Sequence, residues 1–179
     1  IEAKDFPLRQ KRILDIDAKI KETIDDFDVK KIPYGDEFHV IISRYNEDVF
    51  WIQKLAHFNC KVYLYNKGKP INEGDTFPNN VIIENIENVG YEDYVYLYHI
   101  VKYYKTLSNK LVFMQCGLDH CVNILDKLCN IYSWNQMIPL STDMGKSAIH
   151  STSTLKDENI VQTEYGIICM ITDKNMTDI

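Results

Sequence analysis

Three short stretches of the 179-residue chain carry side chains suited to phosphates, hydroxyls or a metal ion. Arg44, Tyr45 and Asn46 follow the β-branched run Val40-Ile41-Ile42. Lys67 follows Val62-Tyr63-Leu64-Tyr65. Asp119 and His120 follow Leu111-Val112-Phe113-Met114. A guanidinium, an ammonium and an amide can bind phosphate or sugar oxygens, and a carboxylate beside an imidazole can hold a divalent cation such as Mn or Mg. A fourth stretch, Glu92-Asp93, offers two carboxylates; either could serve as a general base if an acceptor hydroxyl came within hydrogen-bond reach. For each loop residue the alternative is an ordinary solvated side chain. For Glu92 and Asp93 it is plain complementation of a helix dipole.

Other residues of these types read as structural. His39 lies within a strand pattern and His99 within a helix pattern, where satisfied structural histidines are expected. His150 sits in a polar stretch, either on the surface or in an acceptor loop. Trp51 reads as core, and Trp134 reads either as core or as a sugar platform. Cys116, His120, Cys121 and Cys129 lack the paired C-x-x-C spacing of a zinc site. The P-loop, G-x-G-x-x-G, G-x-S-x-G and H-E-x-x-H motifs are absent, which removes support for their enzyme classes.

These residues need a scaffold, and the hydrophobic pattern supplies one. Ile13, Ile16, Ile20, Ile24 and Phe27 recur at three- and four-residue steps, predicting an amphipathic packing helix from Leu8 to Phe27. Residues 30–35 form a linker broken by Pro33 and Gly35. Short strands are predicted at Phe38 to Ile42, Lys61 to Tyr65, Val81 to Ile83, Leu111 to Met114 and Tyr165 to Ile171. Helical stretches lie between them: Val49 to Phe58, opened by Glu47-Asp48; Tyr91 to Lys105, aromatic on several faces and expected to be covered on both sides; and Val122 to Ile131.

Strand, helix, strand in alternation specifies an α/β fold with a mixed, mostly parallel sheet and helices on both faces. The organisation is residues 1–35 as an N-terminal helix and linker, and 36–179 as a single α/β domain. In such sheets ligands bind outside the carboxyl ends of the strands, which is where the three polar loops fall.

A net charge of -6 without a basic patch argues against nucleic acid as a partner. No apolar run approaches the roughly 20 residues of a membrane span. Five cysteines without a disulfide-like spacing predict reduced thiols and a cytoplasmic-type compartment. Ile1 in place of Met, with no basic-then-apolar leader, reads as a trimmed or processed segment.

Arg44-Tyr45-Asn46-Glu47-Asp48 with Trp51, Tyr65-Asn66-Lys67-Gly68, Asn88-Val89-Gly90, Tyr96-Leu97-Tyr98-His99-Ile100 and Phe113-Met114-Gln115 with Asp119-His120 occur in an order that resembles the family called domain of unknown function 3431. More broadly the chain is similar to glycosyltransferases of the A-type (GT-A) fold. In those, a Thr-Tyr-Asn-like loop ends the first strand, an Asn-x-Gly turn opens a helix, and an Asp-x-Asp motif binds a divalent metal. Gln115-Cys116-Gly117 stands where the paired aspartates belong.

The resemblance implies a nucleotide-sugar donor bound by Arg44, Tyr45, Asn46 and Lys67. It also implies a cation held by Asp119 and His120, and transfer of the sugar to a carbohydrate or other hydroxyl acceptor. The alternative is a non-catalytic module of the same fold that binds a carbohydrate or a protein.

Overall fold

The computed structural model describes residues 6–71, 74, 76–118, 121 and 123–134, with side chains from Leu14 onward. Its centre is a sheet of β1 (Phe38–Arg44), β2 (Cys60–Asn66), β3 (Val81–Asn85) and β4 (Leu111–Gln115). The order is β3-β2-β1-β4 and all three pairings are parallel. Among the described residues the sheet is therefore wholly parallel rather than mixed; the predicted strand at Tyr165 to Ile171 lies outside them.

The apolar runs of β1, β2 and β4 form strands because both faces of the sheet are buried there, so continuous apolar sequence replaces alternation, whereas edge strand β3 leaves Ile82 and Ile83 partly exposed. All seven residues of β1 are buried, from Phe38 through Arg44. Val40 and Ile42 point into one core with Val62, Leu64, Val112 and Met114. Ile41 points into the other, with Tyr63, Tyr65, Leu111 and Phe113. Each such side chain contributes about 1.5–3 kcal/mol when removed from water.

The first core is closed by Ile20 and Ile24 of α1 (Phe6–Asp25), by a 3-10 helix at Phe50–His57, and by Ile124, Leu125 and Leu128 of α3 (Ile124–Leu128). Val95 and Tyr96 of α2 (Tyr91–Tyr103) close the second.

Three expectations need correction. Within the stretch Val49 to Phe58 the chain forms a 3-10 helix (Phe50–His57) rather than an α-helix, and just before it Asp48 Oδ1 accepts the Phe50 N–H at 3.0 Å. A 3-10 run of eight residues spans about 16 Å where an α-helix spans about 12 Å. The longer reach suits a crossover that must run back along the seven-residue strand β1. The predicted helix Val122 to Ile131 is reduced to α3 and a 3-10 turn at Ile131–Ser133. Helix α2 is covered on one side only: Val95, Tyr96 and His99 are buried, while Tyr91, Tyr94, Leu97 and Val101 are exposed.

Candidate functional site at the carboxyl ends of β1 and β4

From β1 the chain steps to β2 and β3 on one side, then returns across the sheet to place β4 on the other side of β1. The strand order thus reverses between β1 and β4, and a cleft of about 860 Å³ opens beyond their carboxyl ends. Glu47 and Asp48 line it from the loop after β1, and Gln115, Cys116 and Gly117 from the loop after β4. Asp17 and Lys21 of α1 line its far wall. Three acids against one lysine give the lining a net negative charge.

The loops are stitched together by specific hydrogen bonds. Trp51 Nε1 donates to the Cys116 carbonyl at 3.0 Å, and Cys116 N–H donates to the Ser43 carbonyl at 2.9 Å. Trp51 is 1% exposed, so it is a core residue and not a sugar platform. At the other edge Gln115 Nε2 donates to Glu92 Oε1 at 2.6 Å, which ties the first turn of α2 to the end of β4.

The cations expected to bind a donor are committed internally. Arg44, 8% exposed, donates from Nε to the Glu47 carbonyl at 2.9 Å. Its Nη1 donates to Asn66 Oδ1 at 2.6 Å and to the Lys69 carbonyl at 3.0 Å. Lys67 Nζ donates to the carbonyls of Val89 at 2.8 Å and Tyr91 at 2.5 Å. Burial holds the Lys67 ammonium below the usual lysine range, opposed by the charge of Glu92. Both side chains therefore organise loops.

Lys67 satisfies the carbonyls of an unusual turn, in which Gly90 (φ 62) and Tyr91 (φ 49) both adopt left-handed backbone. Glycine tolerates that conformation and tyrosine does not, so the two hydrogen bonds offset part of the strain at Tyr91.

Glu47 supplies a functional signal that sequence reading missed. Its Oε2 accepts the N–H groups of Tyr45 at 2.6 Å and Asn46 at 3.1 Å. Successive backbone N–H groups form a nest that attracts anions, and here the protein's own carboxylate fills it. Read from sequence as one of two acids that open the next helical stretch, Glu47 instead occupies the place where a phosphate would be cradled. Asn46 Oδ1 accepts the Lys69 N–H at 3.0 Å, and Tyr45 is 52% exposed. Gly68 packs against this loop so closely that a Cβ there would overlap the Tyr45 carbonyl.

The remaining candidates separate. Glu92 reaches the cleft edge through Gln115, whereas Asp93 is exposed on α2. Asp119 and His120 lie outside the described residues, as does His150. Among the described residues no three His, Cys, Asp or Glu side chains gather as a metal-binding set.

The two buried histidines sit together on the opposite side of β1 from α1, 6.2 Å apart between ring centres. His99 Nδ1 shares a 2.8 Å hydrogen bond with Tyr65 Oη. They are only partly the satisfied residues expected, because His99 Nε2 and His39 Nδ1 have no hydrogen-bond partner among the described residues. Burial is the main force holding both imidazoles below the ordinary range, His99 at about 4. Both are therefore neutral at pH 7.

No helix among the described residues is long and apolar enough to cross a membrane. In comparisons with known proteins, the chain matches no family profile, no curated protein and no solved structure.

Proposed function

We propose that the chain binds a nucleotide-sugar donor in the cleft beyond β1 and β4 and transfers the sugar to a hydroxyl acceptor, aided by a divalent cation (Mn or Mg). The observation that carries this reading is the position of the cleft at the reversal of strand order, the place where open α/β sheets bind nucleotides. The order of the Arg44-Tyr45-Asn46, Asn88-Val89-Gly90 and Phe113-Met114-Gln115 motifs, resembling the GT-A glycosyltransferases, supports it.

Transfer forms a bond from the acceptor oxygen to the anomeric carbon and breaks the bond from that carbon to the diphosphate. The acceptor proton passes to a carboxylate, and the leaving diphosphate carries away the bonding electrons. Its growing charge has to be neutralised. Arg44 and Lys67 are engaged with protein oxygens, so the neutralising charge falls to a cation held by acids.

The groups that would hold a hard cation come from the loops after β1 and β4. Glu47 Oε1 and Asp48 Oδ2 accept no hydrogen bond from the described residues, and Asp119 and His120 follow β4 in the sequence. The cation would supply charge neutralisation of the diphosphate. The chain's own groups orient the donor, through the ring of Tyr45, and receive the acceptor proton, with Glu92, tied to the cleft edge through Gln115, as the candidate base.

A second reading is a non-catalytic module of the same fold that binds a carbohydrate or a protein. It is favoured by the internal use of Arg44 and Lys67 and by the filling of the Tyr45-Asn46 nest by Glu47. Thermal unfolding against nucleoside diphosphates and their sugars, with and without manganese, separates the two. A ligand at 100 times its dissociation constant adds about 2.7 kcal/mol. A manganese-dependent rise that Asp48→Asn and Asp119→Asn each abolish supports the transferase. No response to any nucleotide rejects it in favour of the module.

A further inference from the structure

Helix α2 is held on the sheet by three buried residues, Val95, Tyr96 and His99. The His99 imidazole, fully buried, lies 6.2 Å between ring centres from that of His39 on β1, which is buried as well. Each ring keeps one nitrogen without a hydrogen-bond partner among the described residues. Of the six buried polar or charged side chains among the described residues, only these two histidines are of a type that gains charge in mild acid. Both stand between α2 and the sheet, and the core on the α1 side holds neither.

A proton taken up here finds no free counter-charge. Glu37, just before β1, lies 3.8 Å from His39 Nε2, but Lys61 of β2 already holds its carboxylate at 3.0 Å. The carboxylate acting on His99 is Glu84 of β3, which accepts from Lys102 Nζ and Tyr98 Oη of α2, both at 2.6 Å. The remaining titratable neighbours are phenols, Tyr63 and Tyr65 of β2 and Tyr103 of α2, which stay neutral in acid. From β4 come the apolar Leu111 and Phe113. A buried imidazolium at this contact is therefore an uncompensated charge, and such charges break the packing that encloses them.

We propose that His39 and His99 form a latch that acid releases: proton uptake by both imidazoles lifts α2 from the sheet while the α1 side stays folded. Release dismantles the edge of the cleft, because α2 carries Glu92, the partner of Gln115, and the Tyr91 carbonyl that Lys67 holds. In the open form each imidazole meets water and returns to the ordinary 6.5, so it binds a proton that the closed form refuses. The closed form is fully favoured above pH 6.5 and loses ground below it, for His99 down to about 4. One such histidine raises the opening constant by less than about tenfold per pH unit, and two acting together exceed tenfold. The latch belongs to the fold, and its test does not depend on the proposed activity.

Amide hydrogen exchange of the full chain, followed by NMR between about pH 6 and pH 5, counts these protons in a window where carboxylates stay ionised. After correction for the intrinsic pH dependence of exchange, the amides of Val95 to His99 are expected to lose more than about tenfold protection, and to be less protected than those of β1 throughout. His39→Gln and His99→Gln should each bring the loss below tenfold, and the two together should remove most of it. Each chain is compared with itself at pH 6, so a lower overall stability in a variant does not mask the result. A loss below tenfold in the unsubstituted chain overturns the proposal. So does an unchanged loss in either single variant, or α2 amides as protected as those of β1, which would mean that helix and sheet open only together.

Discussion

Lys67 Nζ lies 2.5 Å from the carbonyl oxygen of Tyr91, a residue held in left-handed backbone at φ 49. One buried ammonium thus fixes the turn that launches α2, 24 residues further along the chain.

Substituting Lys67→Met should therefore cost stability even in the absence of any ligand. Two part-buried carbonyls lose their donor, and a hydrogen bond to a charged group is worth about 1.5–3 kcal/mol. Urea unfolding should show a lower midpoint with an unchanged slope. An unaltered midpoint would mean that Lys67 does not hold the turn.

Arg44→Lys keeps the charge and loses the geometry. An ammonium cannot reach Asn66, Lys69 and Glu47 from the planar fork that Arg44 uses, and leaving these part-buried acceptors unpaired should cost about 2–4 kcal/mol. Chemical denaturation measures the loss, and full stability in the lysine variant would refute the bridging role.

Gly68→Ala tests the approach of the two loops. Its Cβ would overlap the Tyr45 carbonyl, and backbone on backbone cannot rotate away, so a loss of about 3 kcal/mol or more is expected. Gly90→Ala meets Tyr94 Cβ at 2.7 Å and carries the strain of φ 62, for an expected loss of about 1–2 kcal/mol. Thermal unfolding should rank Gly68→Ala as the more damaging.

Stability should decline as the solution is acidified. His99 is held at about 4, below the ordinary 6.5, because burial penalises its charged form. A depressed histidine contributes its full stability above pH 6.5, where folded and unfolded forms are both neutral. That stability is lost as pH falls from 6.5 toward 4, where the unfolded chain binds the proton first. The loss approaches about 3 kcal/mol. In His99→Gln the part of the slope in that window should be reduced, as read from denaturant midpoints across pH; a slope identical to that of the unsubstituted chain would exclude His99 as its source.

Thiol reactivity should rank by burial. Cys60 and Cys116 are pushed up to about 12 and Cys121 to about 11 by desolvation, whereas Cys129 is half-buried and raised less. Mass spectrometry after iodoacetamide at mildly alkaline pH should find Cys129 alkylated first among these four. Early labelling of Cys116 would contradict the packing between Asp48 and Trp51.

The strands were legible because their information is local: Val40-Ile41-Ile42 and Leu111-Val112-Phe113-Met114 are continuous β-branched and apolar runs, and a parallel sheet buries both faces. The 3-10 form of Phe50–His57 was not, since apolar spacing alone does not fix the rise per residue. The location of the candidate site followed from the ends of the strands, and the cleft lies at two of the three loops chosen. The roles of Arg44 and Lys67 did not follow. Their partners, Asn66, Lys69, Val89 and Tyr91, are 22 to 25 residues distant, and a cation that ligates a carbonyl carries the same letter as one that waits for phosphate.

The strand order also bears on how the chain acquires its shape. Val40 pairs with Val62 on one side but with Val112 on the other, so the central strand gains its second neighbour from a segment translated some seventy residues later. Until β4 emerges from the ribosome, one edge of β1 offers unpaired backbone groups on a strand rich in valine and isoleucine. Such an edge recruits other strands, and its closure over so long a separation is slow. The interval between synthesis of β1 and of β4 is thus the period in which the nascent protein is most exposed to aggregation, and in which a chaperone would have most to cover.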